Sequence, residues 1–393
     1  MTVIDQRRSG YFSEDDCDLA HFRALVEQSL DRSMTPHADD AQRNVPIYDV
    51  QRLAAVLGDP GSRRGLMAEW AEVLLSSSGV LVLKHACTYL EAIDTATSLF
   101  DGIIASEKEH NGGGADHFAT AGANDRIWNS LQKLCEASPG IFLRYFANPA
   151  IDAVCEAWLG PNYQMTAQVN LVHPGGQAQQ AHRDYHLGFQ TAEISATYPA
   201  HVHDLSPALT LQGAIAHCDM PIESGPTKLL PFSQLYRPGY VAWRRPEFRA
   251  YFEENCIQLP LEKGDAVFFN PALFHAAGAN LTTDIHRMVN LLQVSSAFGR
   301  AMESIDRAKM CRLLYPHVNA AKANGAIASD GLKAAICSAA EGYSFPTNLD
   351  RDPPSGGLAP ETQAQLFLRA LSEAMPPAQF EAALDAQMER RLA

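Results

Sequence analysis

The run Gln164-Met165-Thr166-Ala167-Gln168-Val169-Asn170-Leu171-Val172 closes on His173-Pro174-Gly175-Gly176. It continues as Gln177-Ala178-Gln179-Gln180-Ala181-His182-Arg183-Asp184. The first nine residues read as a strand that stops at a Gly/Pro turn. The polar residues after the turn have the texture of a strand end lining a cleft. On a strand, residues two apart share a face, so His182 and Asp184 present an imidazole and a carboxylate together. Those are two of the three ligands of a 2-His-1-carboxylate centre, a donor set that leaves positions open on iron(II).

Outward from this stretch, further short strands are expected at 209–216, 266–269 and 288–294. The strand at 266–269 is entered by the turn Lys263-Gly264-Asp265. Short, regularly spaced strands bounded by Gly, Pro and Asn point to a barrel or jelly roll. Residues 1–45 are polar and aperiodic and read as an irregular arm. Residues 48–75 read as helical, broken at Gly58-Asp59-Pro60-Gly61; a strand at 80–83 and a helix at 89–107 follow. A glycine-rich loop runs from Gly112-Gly113-Gly114 to Gly122. With Asn124, Asp125, Arg126 and Trp128 it is either a pocket wall or a plain surface loop. Beyond Arg300, Ala-rich helical patterns at 300–314, 332–340 and 360–392 surround a Pro-rich stretch. The expected division is an N-terminal arm with helices (1–76), a β core (77–300) and a helical extension (301–393).

His-x-Asp occurs three times, as His37/Asp39, His182/Asp184 and His217/Asp219. The first lies in the arm, poor support for a rigid metal site. The other two precede a candidate third ligand, His275, by 93 and 58 residues, and spacing does not choose between them. Context favours His182/Asp184, because His217-Cys218-Asp219 runs into Met220-Pro221-Ile222-Glu223-Ser224-Gly225-Pro226, a turn that starts a hairpin. Arg287 follows His275 by 12 positions, on the next expected strand. A planar, permanently charged guanidinium is suited to gripping a carboxylate. An iron centre with a carboxylate clamp fits a 2-oxo acid co-substrate. The plain alternatives are a strand-end histidine and a surface ion pair.

Composition bounds the rest. The chain has 393 residues, 46% of them apolar and 19% charged, and a formal charge of −14. That excludes a disordered chain and argues against a nucleic-acid binder, which needs a positive field. The N-terminus lacks the apolar core of an export signal, and no apolar run is long enough to span a bilayer. Eight scattered cysteines with no Cys-x-x-Cys pair fit reduced thiols in a cytoplasmic protein.

Three pieces occur in order: His182-Arg183-Asp184, Glu223-Ser224-Gly225-Pro226-Thr227-Lys228-Leu229-Leu230-Pro231-Phe232-Ser233-Gln234, and His275-Ala276-Ala277-Gly278-Ala279-Asn280 with Arg287. Together with the opening strand Gly79-Val80-Leu81-Val82-Leu83-Lys84, this set resembles the phytanoyl-CoA dioxygenase family of iron(II)- and 2-oxoglutarate-dependent oxygenases. The resemblance covers roughly residues 77–297. It implies an α+β fold with a double-stranded β-helix (jelly-roll, cupin-like) core, flanking helices and a helical C-terminal extension. It implies Fe(II), 2-oxoglutarate and O2, with His182, Asp184 and His275 as metal ligands and Arg287 on the distal 2-oxoglutarate carboxylate. Some members carry a co-substrate-binding Gln two residues before the first His, the position of Gln180 here. Thr227 stands at a variable position near the co-substrate and its role is open. Halogenases of the family replace the carboxylate ligand by Ala or Gly. Asp184 is kept here, which favours hydroxylation or a related oxidation of a small organic substrate. The Arg244-Arg245 and Arg249 cluster is either a phosphate contact for a CoA thioester or a solvated helix face. A second class, a cupin-like non-catalytic metal or small-molecule binder, would not need Arg287. No nucleic-acid or membrane partner is expected. The C-terminal helices serve either as a homodimer interface or as a cap on the β core.

Overall fold

The structure, a computed structural model, describes residues 10–111, 123–354, 357 and 359–392. The glycine-rich stretch 112–122 anticipated as a loop lies outside them. The chain forms two compact units. One gathers the described residues of Met1–Ala86, Gly114–Arg126 and Asn170–Leu291; the other gathers those of Cys87–Gly113, Ile127–Val169 and Leu292–Ala393.

Ten strands are present among the described residues: β1 (Asp40–Gln42), β2 (Val45–Asp49), β3 (Val80–Lys84), β4 (Asn124–Ile127), β5 (Gln164–Val172), β6 (Thr210–Ala216), β7 (Lys228–Leu230), β8 (Ala266–Phe269), β9 (Phe274–Ala276) and β10 (Arg287–Ser295). Eight form one sheet in the order β1-β2-β3-β8-β6-β10-β5-β4. The second sheet is β7 against β9. It is widened by single bridges, His182 to His275 on one side and Leu229 to Ile257 on the other. The architecture is α+β, with a double-stranded β-helix whose second sheet is cut down to a few residue pairs. Register explains its core. In the first sheet β3 aligns Val80 with Phe269 and Val82 with Val267, while β6 aligns Ala214 with Val267. Period-two alternation then puts these side chains on one face. They are buried together with Leu229, Leu273 and Val289, so both sheets feed one apolar cluster.

The arm departs from the irregular reading. Leu19–Val26 is a helix capped by Asp18, whose carboxylate accepts from the Ala20 and His21 amides. Phe22, fully buried, lies 5.0 Å from Phe274 and 5.1 Å from Phe248, ring to ring. A helix that buries a single residue carries almost no periodic signal, and tertiary packing holds it. Tyr48 belongs to β2 rather than to a helix, and its hydroxyl donates to Glu69 Oε1 at 2.9 Å. Helices Val50–Gly58 and Pro60–Ser76 follow, with Asp59 capping the second.

The second unit is mainly helical. Its C-terminal helices are Arg307–Asn324, Ser329–Ala339, Gln363–Ser372 and Pro377–Arg391. The first starts at Arg307 rather than 300, because the Asp306 side chain caps it at Lys309 N. The stretch expected as one helix over 360–392 is two. The turn has Ala374 at φ 51°, and Pro376-Pro377 begins the second helix. Tyr315 stacks on Phe380 at 4.1 Å and donates to the Met375 carbonyl, which ties the helices of this unit together. All eight cysteines are free. Among the described residues, no helix is long and apolar enough to cross a membrane.

Candidate metal centre

The site lies wholly in the first unit and grows from the narrow second sheet. His182 and His275 exchange both backbone hydrogen bonds: His182 N donates to His275 O at 3.0 Å, and His275 N donates to His182 O at 3.1 Å. Directly opposed residues of an antiparallel pair project to the same face. The fold therefore sets two imidazoles side by side, with ring centroids 4.4 Å apart. Asp184, two residues on, reaches the same place. Its Oδ2 lies 3.3 Å from His275 Nε2 and its Oδ1 lies 3.7 Å from His182 Nε2. Among the described residues these three form the one group able to hold a metal, with candidate ligand atoms all within 4.8 Å of one another.

Each imidazole is aimed by its other nitrogen. His182 Nδ1 lies 2.8 Å from the Gln180 carbonyl, and His275 Nδ1 lies 2.8 Å from the Leu273 carbonyl. A carbonyl only accepts, so Nδ1 carries a proton and Nε2 is the nitrogen that faces Asp184. Burial holds the His182 pKa below the ordinary value, in the neutral form a metal requires. Burial by itself would raise the Asp184 carboxyl. The adjacent imidazoles and the Gln212 amide outweigh it and hold the group well below the usual carboxylate range. Gln212 Nε2 donates to Asp184 Oδ2. This donor set, two imidazole nitrogens and one carboxylate with each orientation fixed, fits iron(II).

Arg287, at the start of β10, is 4% exposed. Its Nη1 donates to the Ser224 carbonyl at 2.8 Å and to the Gly278 carbonyl at 3.2 Å. Those carbonyls converge because Gly225 and Gly278 touch. A Cβ on Gly225, where φ is +75°, would stand 2.2 Å from Ala279 O, and one on Gly278 would stand 2.8 Å from Gly225 O. Among the described residues no carboxylate pairs with Arg287, and burial lowers its pKa to about 10. A buried guanidinium without a counter-charge is costly, and a bound carboxylate would relieve that cost.

The remaining expected residues divide. Gln180 is exposed, and its backbone carbonyl accepts from His182 Nδ1. Thr227 precedes β7 by one residue and is half-buried. The pair His217/Asp219 joins no three-ligand group among the described residues, and Asp219 instead accepts from Lys263 N at 2.9 Å in a turn. His37 pairs with Glu69 at 2.5 Å.

Three residues that the sequence reading passed over shape the centre. Arg183, fully buried on the opposite face of the ligand strand, donates to the Ser233 and Tyr236 carbonyls at 2.7 and 2.8 Å. Gly239 is obligatory beside it, since a Cβ there would stand 2.0 Å from Arg183 Cζ. Gln212 is the second. A glutamine inside the apolar run of β6 was its visible signal. Trp243 is the third, with its ring 6.5 Å from that of His182. Tyr185 and His186, at φ 62° and 40°, turn the chain away directly after Asp184.

Residues 76–289 match the family model described as Phytanoyl-CoA dioxygenase (PhyH). Two relatives are dioxygenases by name. Dioxygenase andF of Emericella variicolor is 26% identical over 144 residues, 36% of this chain and 45% of that protein. Dioxygenase trt7 of Aspergillus terreus is 23% identical over 231 residues, 58% of this chain and 73% of that protein. The chain thus spans under half the length of the first and about three quarters of the second. Among solved structures, the non-heme alpha-ketoglutarate-dependent epimerase SnoN from nogalamycin biosynthesis is similar at 18% identity and a TM-score of 0.40. That match covers 61% of this chain and 84% of SnoN.

Proposed function

Since the chain belongs to the phytanoyl-CoA dioxygenase family of iron(II)- and 2-oxoglutarate-dependent enzymes, we propose that it oxidises, most simply hydroxylates, an unactivated C–H bond of a small organic substrate. Bound iron(II) with 2-oxoglutarate and O2 supplies the oxidising power, with succinate and CO2 released.

The chain's own residues do the rest. His182 and His275 offer their Nε2 atoms and Asp184 offers a carboxylate. Gln212 keeps that carboxylate turned toward the imidazoles. Arg287 holds the far carboxylate of 2-oxoglutarate and supplies its charge from a buried, pre-set position, so little is reorganised on binding. Trp243, 9% exposed, walls the His182 side against water. One observation carries the reading: the mutual His182–His275 hydrogen-bonded pair brings two aimed imidazoles and a carboxylate together, while Arg287 is buried without an anion of its own.

The test is anaerobic. Fe(II) and then 2-oxoglutarate are added to metal-free protein, and the weak visible charge-transfer band of the keto-acid chelate is followed. A band that develops with 2-oxoglutarate and is matched by succinate release on admitting O2 is the expected result. Stoichiometric metal binding with no band would replace this reading by a non-catalytic, cupin-like binder.

A further inference from the structure

Trp243 carries two guanidiniums. Arg244 Cζ lies 3.8 Å from its ring centroid and Arg249 Cζ lies 5.6 Å from it. On its other contacts the same indole meets His182, centroid to centroid at 6.5 Å. Adding these separations keeps the Arg244 guanidinium within about 10 Å of the metal-site imidazole.

The two arginines are not spent on the fold. Arg245, between them, pairs with Glu247 and donates to the Glu14 carbonyl. Among the described residues, neither Arg244 nor Arg249 forms an ion pair with a carboxylate. Arg244 makes one hydrogen bond, to the Gly188 carbonyl at 3.2 Å. Buried atoms without a partner include Arg244 Nη1 and Arg249 Nε. Burial and the charge of Arg249 both depress the Arg244 pKa, and the exposed Glu193 offsets this only in part. Two like charges held on one indole, with unpaired buried donors, form a site that is unfavourable when empty and favourable with an oxyanion in it.

We propose that Trp243, Arg244 and Arg249 form an oxyanion subsite that anchors the substrate by a carboxylate or phosphate group, no more than about 10 Å from the His182 ring. The subsite is separate from Arg287, which is taken by the co-substrate. The substrate assignment rests on the oxygenase reading; the anion site itself does not.

The experiment titrates metal-free protein with inorganic phosphate and, separately, with acetate at constant ionic strength, following tryptophan fluorescence. The expected result is a saturable change for at least one anion. It disappears in Trp243→Phe and weakens tenfold or more in Arg244→Gln and in Arg249→Gln. It persists in Arg245→Gln and Arg287→Gln. Which anion saturates identifies the source as phosphate or carboxylate. Both arginine sites are half-buried, and unchanged melting temperatures establish that the variants fold. No saturable change with either anion overturns the proposal, and so does loss of the change only in Arg287→Gln. The two readings fail separately. A 2-oxoglutarate charge-transfer band without an anion response removes the subsite alone, whereas an anion response without the band removes the oxygenase reading alone.

Discussion

His182-Arg183-Asp184 and His217-Cys218-Asp219 are one three-residue pattern set in two places of the same unit, and they end differently. His217 directly follows β6 and is buried, whereas His182 is bridged to His275 of β9 and is part-buried. At the first, the partner strand presents another histidine, bonded to His182 through both backbone pairs. At the second, His217 N donates to Met288 O, and Asp219 is consumed by a turn. The difference is supplied from nearly a hundred residues away, by what lies opposite. A metal centre on this fold is a property of a strand pairing before it is a property of a motif.

The largest test of that contrast removes the two acids in parallel. Asp184→Ala is expected to abolish stoichiometric Fe(II) binding, since loss of a ligand exceeds the ~10–100-fold typical of a lost outer partner. Asp219→Ala should leave Fe(II) affinity unchanged and cost about 1 kcal/mol of stability. Calorimetric metal titration reads the first, and thermal unfolding the second. Equal metal affinity in the two variants would erase the distinction.

Arg287 extends the contrast to anions. Arg287→Gln should raise the 2-oxoglutarate requirement by roughly 30-fold or more, the scale of a lost buried charge pair. The same change should leave the protein without 2-oxoglutarate no less stable, because an uncompensated buried charge has gone. An unchanged requirement would move the clamp elsewhere.

Two buried acids sharpen it next. Neighbouring imidazoles keep Asp184 ionised, whereas burial drives Glu303 of the second unit up to about 7, despite the Asn129 amide donating to it. For Glu303 the folded form binds the proton more tightly than the unfolded form. Its contribution is therefore complete below pH ~4.5, falls as pH rises through about 7, and totals up to about 3 kcal/mol. Glu303→Gln should flatten the decline in stability over that window. An unaltered slope in denaturant titrations would show that the carboxyl titrates normally.

The smallest effect is expected at Gln212. Gln212→Leu should weaken Fe(II) binding about tenfold, the lower end for an outer partner, while leaving the 2-oxoglutarate requirement near its original value. A wild-type metal affinity would remove Gln212 from the centre.

These contrasts also show what a sequence carries. Strands β5, β6, β8 and β10 were legible within a residue or so, because turns and period-two apolar runs mark them locally. Candidate ligands were legible because His, Asp and Arg stand in recognisable surroundings. The helix at Leu19–Val26 was not, since one buried Phe22 makes no period. Arg183 was not, because a buried arginine bonded only to carbonyls looks like any charged surface residue until Gly239 is seen against it. The arginines on Trp243 looked like a solvated helix face for the same reason: their character comes from an indole and from having no ion-pair partner among the described residues.

The order in which the centre is assembled has a consequence for synthesis. His182 and Asp184 leave the ribosome 93 and 91 residues ahead of His275, roughly 5–20 s at ordinary elongation rates. Through that interval the nascent chain holds a two-ligand half-site with no opposing strand to fix its rings. The complete donor set exists only after β9 (Phe274–Ala276) has paired, so a three-ligand site is available to the chain only from that point on.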